Sequence, residues 1–151
     1  MAKRDINQSK FDKGTNLKLD IFRECFREWF PVLANDIFTQ KLYIFDLFAG
    51  SGTDEEGEYG SPLILLDEAR GNNQKFCHFV NNQEKDISFI FNEKITKKAE
   101  ILEKNVGLYF DKCESDCTLG KCVYREKYEI KNNDFIKNIG KNDLQSGVGY
   151  I

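Results

Sequence analysis

The chain has little that would tie it to a membrane, a nucleic acid or an oxidising compartment. No apolar run approaches the roughly 18 residues of a membrane-spanning helix. The start, Met1 to Lys18, is polar and lacks the apolar centre of a secretory leader. Lys and Arg number 22 against 25 Asp and Glu, a formal charge of −3, so no net basic field draws in nucleic acid. The five cysteines are an odd number without a leader, which argues for reduced thiols rather than a disulfide framework. Proline occurs only at Pro31 and Pro62, and histidine only at His78. There is no internal repeat or low-complexity tract. A soluble, cytoplasmic protein is expected.

What is present suits one compact domain. The 151 residues are 40% hydrophobic and 13% aromatic, with 13 Phe, enough for a real core and too much for disorder. Residues 1–14 read as a flexible N-terminal arm and 15–151 as the domain. Leu19, Phe22, Cys25, Phe26 and Trp29 recur at helical spacing, with Thr15 or Asn16 as cap and Pro31 as a stop or kink. Cys25 on that stripe reads as a small core residue. Leu42 to Phe48 is apolar on both faces, as in a buried, central parallel strand, and Ala49-Gly50-Ser51-Gly52-Thr53 follows as a tight turn.

After an acidic loop, Asp54 to Gly60, Ser61-Pro62 opens a helix that ends near Gly71, with Ser61 as its cap. Residues 76–80 form a short strand or a further turn of helix. Ile87 to Glu93 is a second strand, and Thr96 caps a helix through about Asn105. A third strand is expected between Tyr124 and Lys131, and Asn133 or Asp134 opens a helix holding Phe135, Ile136 and Ile139. Helix, strand, glycine turn, helix, strand, helix, strand is the opening of a doubly wound, Rossmann-like α/β domain with a parallel sheet in three layers.

The functional signal lies at the strand ends. Open α/β sheets bind ligands at the carboxyl edge, where glycines allow a sharp turn and close backbone approach. Asp46 ends the first strand before Gly50 and Gly52. Glu93 ends the second and can accept two hydrogen bonds from vicinal ribose hydroxyls. Asp134 follows the third and can accept one from an adenine amino group. Three carboxylates at three strand ends suit a nucleoside and disfavour a polyphosphate. A nicotinamide dehydrogenase is disfavoured because Gly-x-Gly-x-x-Gly fails after Gly52. As helix cap and surface pair respectively, Asp134 and Glu93 also have structural readings.

The loop with Asp46 before it resembles the first motif of class I S-adenosylmethionine-dependent methyltransferases. More narrowly, Lys18-Leu19, then Tyr43 to Gly52, then Gly60-Ser61-Pro62-Leu63 resemble the three-Cys-motif partner protein family. The similarity is best over residues 15–70 and extends to about 137. It implies S-adenosylmethionine as cofactor: Gly50 and Gly52, with Asp46, at its amino-acid part, Glu93 at the ribose and Asp134 at the adenine. It implies association with a separate protein bearing three cysteines, so that motif need not lie in this chain.

Asp46 and Glu93 are 47 positions apart, where about 20 is usual in a dinucleotide fingerprint. The extra length falls in the loop 54–60 and segment 71–85. A substrate-side strand with Asn or Asp beside prolines is also missing, so the chain reads as the N-terminal part, or a truncated form, of such a domain, with no assignable catalytic residue. A non-catalytic binding or partner module is the alternative. Three strands leave one flank bare, which invites pairing with a second copy or another protein. Cys113, Cys117 and Cys122, spaced C-x3-C-x4-C, could hold zinc with His78 or Cys77 as a fourth ligand, but the spacing fits neither a zinc knuckle nor an iron–sulfur motif, and no metal is expected.

Overall fold

A computed structural model describes residues 9–134. Helix α1, Lys13–Asn35, starts earlier than the sequence suggests because Asp12, not Thr15 or Asn16, is the cap: its carboxylate accepts the Thr15 N–H at 2.7 Å. Pro31 lies inside the helix and does not end it. The buried stripe is Phe26, Phe30 and Ala34, with Phe22 and Trp29 packed against the core. Cys25 is exposed, not a core residue. At about 100° per residue it sits a quarter-turn from the buried Phe26, outside the packed face of the helix.

Strand β1, Lys41–Asp46, leads through the glycine loop to α2, Ser61–Arg70. A 3-10 turn, Asn72–Gln74, and α3, Lys75–Asn82, follow, so the ambiguous 76–80 segment is helical, with Cys77 and Val80 buried. Next come β2, Asp86–Asn92, α4, Thr96–Ser115, and β3, Tyr128–Lys131. Helix α4 runs ten residues past the expected end at Asn105. Val106, Tyr109, Phe110 and Cys113 continue its buried stripe, and that burial overrides the weak helix formers Asn105 and Gly107. β3 falls within the expected 124–131 stretch, and Tyr124 lies just ahead of it. Its ring is buried and its hydroxyl donates to the Ala69 carbonyl at 2.7 Å.

The sheet is parallel, in the order β1–β2–β3, with Ile44 opposite Phe89 and Phe91 opposite Ile130. Expectation and structure part here. Among the described residues β1 is an edge strand and β2 is central. Nor is β1 buried on both faces. Ile44 is fully buried, while its neighbour Tyr43 is 41% exposed. On β2, Ile87, Phe89 and Phe91 are buried, and Ser88 and Ile90 between them are only half-buried. Right-handed crossovers in the order β1–β2–β3 carry α2–α3 and α4 over the same face, which accounts for the one-sided burial. The described residues therefore form two layers, not three. The result is a small α/β domain of coarse Rossmann-like topology. The helix expected over Phe135, Ile136 and Ile139 lies outside the described residues. No described helix is long and apolar enough to cross a membrane.

Candidate functional site

The glycine loop leaves β1 at Asp46 and is held from three sides. Gly50 and Gly52 have φ of 65° and 88°, the region open to glycine at little cost. From β2, the buried Glu93 carboxylate accepts the Gly50 N–H at 2.9 Å through Oε2 and the Ile95 N–H at 2.8 Å through Oε1. From α4, the Asn105 side-chain amide donates to the Ser51 carbonyl at 2.8 Å. From the start of α2, Gly60 N–H donates to the Gly52 carbonyl at 2.7 Å. A Cβ on Gly52 would stand 2.9 Å from Leu102 Cδ1, so this glycine also lets α4 pack close.

Expected caps turn out to have other duties. Gly60 is the N-cap of α2, and the Ser61 hydroxyl instead donates to Asp46 Oδ2 at 2.5 Å. Ile95 is the N-cap of α4, and Thr96 donates its hydroxyl to Asn132 Oδ1 at 2.9 Å. Glu93 does what a capping side chain does, accepting the Ile95 N–H just ahead of the helix. One carboxylate thus fastens the glycine loop to the start of α4. These two bonds use two of about four acceptor positions of the carboxylate.

Asp46 sits beside this arrangement with thinner support, the Ser61 hydroxyl and the Phe48 N–H at 3.2 Å. Burial pushes its carboxyl above the usual aspartate range, and the Glu93 charge adds to the rise. Asp134 follows β3 and pairs with Lys94 at 2.9 Å. Glu93 is therefore not a surface ion pair with its neighbour Lys94: Glu93 is buried, while the Lys94 side chain is 69% exposed and pairs with Asp134.

Sequence reasoning missed several residues that build the place. Asn92, the last residue of β2, donates to the Leu47 carbonyl at 3.2 Å and the Asn133 carbonyl at 3.1 Å, and its own carbonyl accepts the Ala49 N–H at 3.0 Å. It joins all three strand ends. Phe48 and Ile95, 74% and 50% exposed, are apolar residues in the glycine loop and next to Glu93. Asp54, buried, accepts backbone N–H groups from Phe11 at 3.0 Å and from Glu56 and Glu58 at 2.9 Å each. Burial pushes its carboxyl up, but those three donors outweigh it and hold it below the usual aspartate range.

The cysteines are placed elsewhere. Cys113 and Cys122 are buried with Cys77, whereas Cys117 is half-buried and donates to the Lys121 carbonyl at 3.6 Å. A hydrogen bond with Cys122, then burial, pushes the Cys113 thiol far up. Cys122 is itself pushed up to about 12: its bond with Cys113 pulls down, and a bond with Cys77 and burial prevail. Such thiols stay protonated at neutral pH, unlike the thiolates that bind metals. His78 shares a 2.9 Å hydrogen bond with Thr118. Among the described residues no group of His, Cys, Asp or Glu could hold a metal ion.

A cleft of about 340 Å³ lies between α1 and the acidic loop, lined by Asp20, Arg23, Glu58, Tyr59 and Lys112 among others. None of the strand-end residues lines it. No family model matches the chain, and no curated protein or solved structure matches it.

Proposed function

We propose that this domain binds S-adenosylmethionine at the carboxyl edge of the sheet, as the methyltransferase-like first half of a doubly wound domain. The observation that carries the reading is the Glu93 carboxylate on the Gly50 N–H at 2.9 Å, with Asp46 beside it. A glycine turn and two acidic strand ends share one small space. In this reading Gly50, Gly52 and Asp46 meet the amino-acid part of the cofactor, and Asp46 takes its ammonium group. Glu93 uses its remaining acceptor positions for the ribose, and Asp134 meets the adenine. Phe48 and Ile95 supply the apolar surface a purine seeks. The elevated Asp46 favours a cationic ligand, because an ammonium or sulfonium nearby offsets the Glu93 charge and restores ionisation.

S-adenosylmethionine supplies an activated methyl group, and the protein's part in such chemistry is alignment and exclusion of water. The second reading, a non-catalytic binding module of the same fold, draws on β1, which has no partner strand on its outer edge among the described residues.

Titration calorimetry separates the two. The cofactor reading expects binding of S-adenosylmethionine or its demethylated product in preference to a nicotinamide dinucleotide. Glu93→Ala should weaken it by about 1.5–3 kcal/mol for each charge-assisted bond lost. Gly50→Val should abolish it, since the turn is at φ 65°. Folded wild-type protein that takes up neither ligand rejects the reading and favours the binding module.

A further inference from the structure

Three of the five cysteines meet in the core. Cys77 on α3, Cys113 in the last turn of α4 and Cys122 in the loop ahead of β3 are 0%, 1% and 4% exposed. Cys122 stands between the other two and shares a hydrogen bond with each. The backbone holds it there: the carboxylate of Glu114, the residue after Cys113, accepts the Cys122 N–H at 3.1 Å. A single buried thiol packs as a small apolar side chain. Thiols held in contact have a second chemistry open to them, a disulfide.

A cation beside the cluster points the same way. Arg70, the last residue of α2, has its Nε buried and without a hydrogen-bond partner among the described residues. Its charge acts on Cys113 and Cys77. A buried donor with no acceptor is costly, and an oxygen added to the Cys113 sulfur is the kind of acceptor it lacks. In the closed domain the thiol is protected, because the bond to Cys122 and burial hold Cys113 protonated against the pull of Arg70. Cys122 belongs to the loop 116–127. That loop is fastened at the surface by the Thr118 hydroxyl with His78 at 2.9 Å and by Arg125 with Asp111, and such exposed bonds open readily. When the loop lifts, the Cys122 contact ends and the burial weakens. Arg70 remains, and a thiol beside a cation is a reactive one.

We propose that Cys113 and Cys122 form a reversible oxidation site for a small hydroperoxide, with Cys113 as the attacking thiol and Arg70 as the cation that supports it. The Cys113 sulfur attacks one peroxide oxygen. An S–O bond forms, the O–O bond breaks, and the other oxygen leaves as water or an alcohol with the thiol proton. Arg70 Nε donates to the sulfenic oxygen. The Cys122 sulfur then attacks the Cys113 sulfur, and a water leaves as the disulfide forms. Two thiols give up two electrons and one peroxide takes them; a dithiol reductant reverses the change. The disulfide is uncharged, so the burial that penalises a thiolate does not penalise it.

The test exposes the folded full chain to hydrogen peroxide and follows intact mass, then maps peptides after free thiols are blocked, with circular dichroism to confirm folding. The wild type should lose about 2 Da through a Cys113–Cys122 bond that dithiothreitol reverses. Cys122→Ser should stop at a sulfenic acid on Cys113, trapped by a dimedone probe. Arg70→Met removes a donor that has no partner, so the fold should persist, and oxidation should slow roughly tenfold. Thr118→Val, at an exposed position, should speed it by loosening the loop. Folded wild type that keeps both thiols free overturns the proposal. So does a bond mapped to Cys25, Cys77 or Cys117, or an Arg70→Met protein that oxidises at the wild-type rate.

Discussion

Asp46 and Asp54 stand on either side of the glycine loop and are held in opposite ways. Asp54 is enclosed by three backbone N–H donors, and its carboxyl is pulled below the ordinary range. Asp46 has one backbone donor and one hydroxyl, faces the charge of Glu93, and is pushed above that range. A carboxylate saturated by backbone donors has little left to offer a ligand and belongs to the scaffold. One that is buried, sparsely supported and close to a second carboxylate is less stable as an anion, and a cationic ligand relieves it. The contrast separates what builds the loop from what the loop presents.

The sharpest way to break the scaffold side is Asp54→Ala. It strands three backbone donors that tie the acidic loop to the chain ahead of α1, and the expected loss is about 3 kcal/mol in chemical denaturation. The pH dependence follows from the lowered carboxyl. Its stabilisation is full above the pKa of the unfolded chain and is lost as pH falls through the lower folded value. Wild-type protein should thus lose this contribution in acid, and the variant should show a flatter acid limb. An Asp54→Ala protein as stable as the wild type, with the same acid limb, would remove Asp54 from the scaffold.

Glycine substitutions sharpen the comparison next. Gly52→Ala should cost about 2–3 kcal/mol, combining strain at positive φ with a clash against the buried Leu102. Gly57, in the acidic loop, has φ of 83° but open space where a Cβ would go. Gly57→Ala should cost only the backbone part, about 1 kcal/mol. Thermal unfolding of the pair measures how much of the turn's demand is packing. Equal losses would mean that the approach of α4 to the loop contributes nothing.

The fold was legible where the signal was local. Strand positions, the glycine turn, the α2 boundary at Gly71 and the placing of Glu93 at a strand end follow from patterns a few residues long. What escaped depends on pairs far apart in sequence. Asp54 finds Phe11 across 43 positions, and Glu93 finds Gly50 across the same number. Nothing local tells Ser61 to bond Asp46 rather than cap its own helix. Cys25 was misplaced because a stripe at spacings of three and four is broad, and only packing shows which edge of it faces inward. The strand Leu42 to Phe48 looked apolar enough to be central, yet sequence composition does not say how many strands lie beyond it. For the site itself, residue types and strand ends were readable. The division of labour between Asp46 and Asp54 was not, because it rests on backbone donors that arrive only with the fold.

The smallest expected effect lies on the other side of the comparison and has the opposite sign. Asp46→Asn keeps an oxygen to accept the Phe48 N–H, and its amide can donate to the Ser61 hydroxyl oxygen in place of accepting from it. It removes a carboxylate whose folded pKa is raised by burial and by Glu93. A group with a raised folded pKa stabilises fully below its unfolded pKa, and that contribution is lost as pH rises through the folded value. At neutral pH the ionised Asp46 therefore works against the fold, and Asn should be neutral to slightly stabilising there. Toward acid the advantage should vanish as the wild-type carboxyl takes up its proton. Denaturation curves of both proteins across a pH series measure this directly. If the proposed cofactor site holds, the same variant should bind S-adenosylmethionine more weakly, since a neutral amide does not answer an ammonium group as a carboxylate does. A gain in stability with a loss of binding marks Asp46 as a residue kept for its ligand. A loss of stability at neutral pH would instead put it with Asp54 in the scaffold.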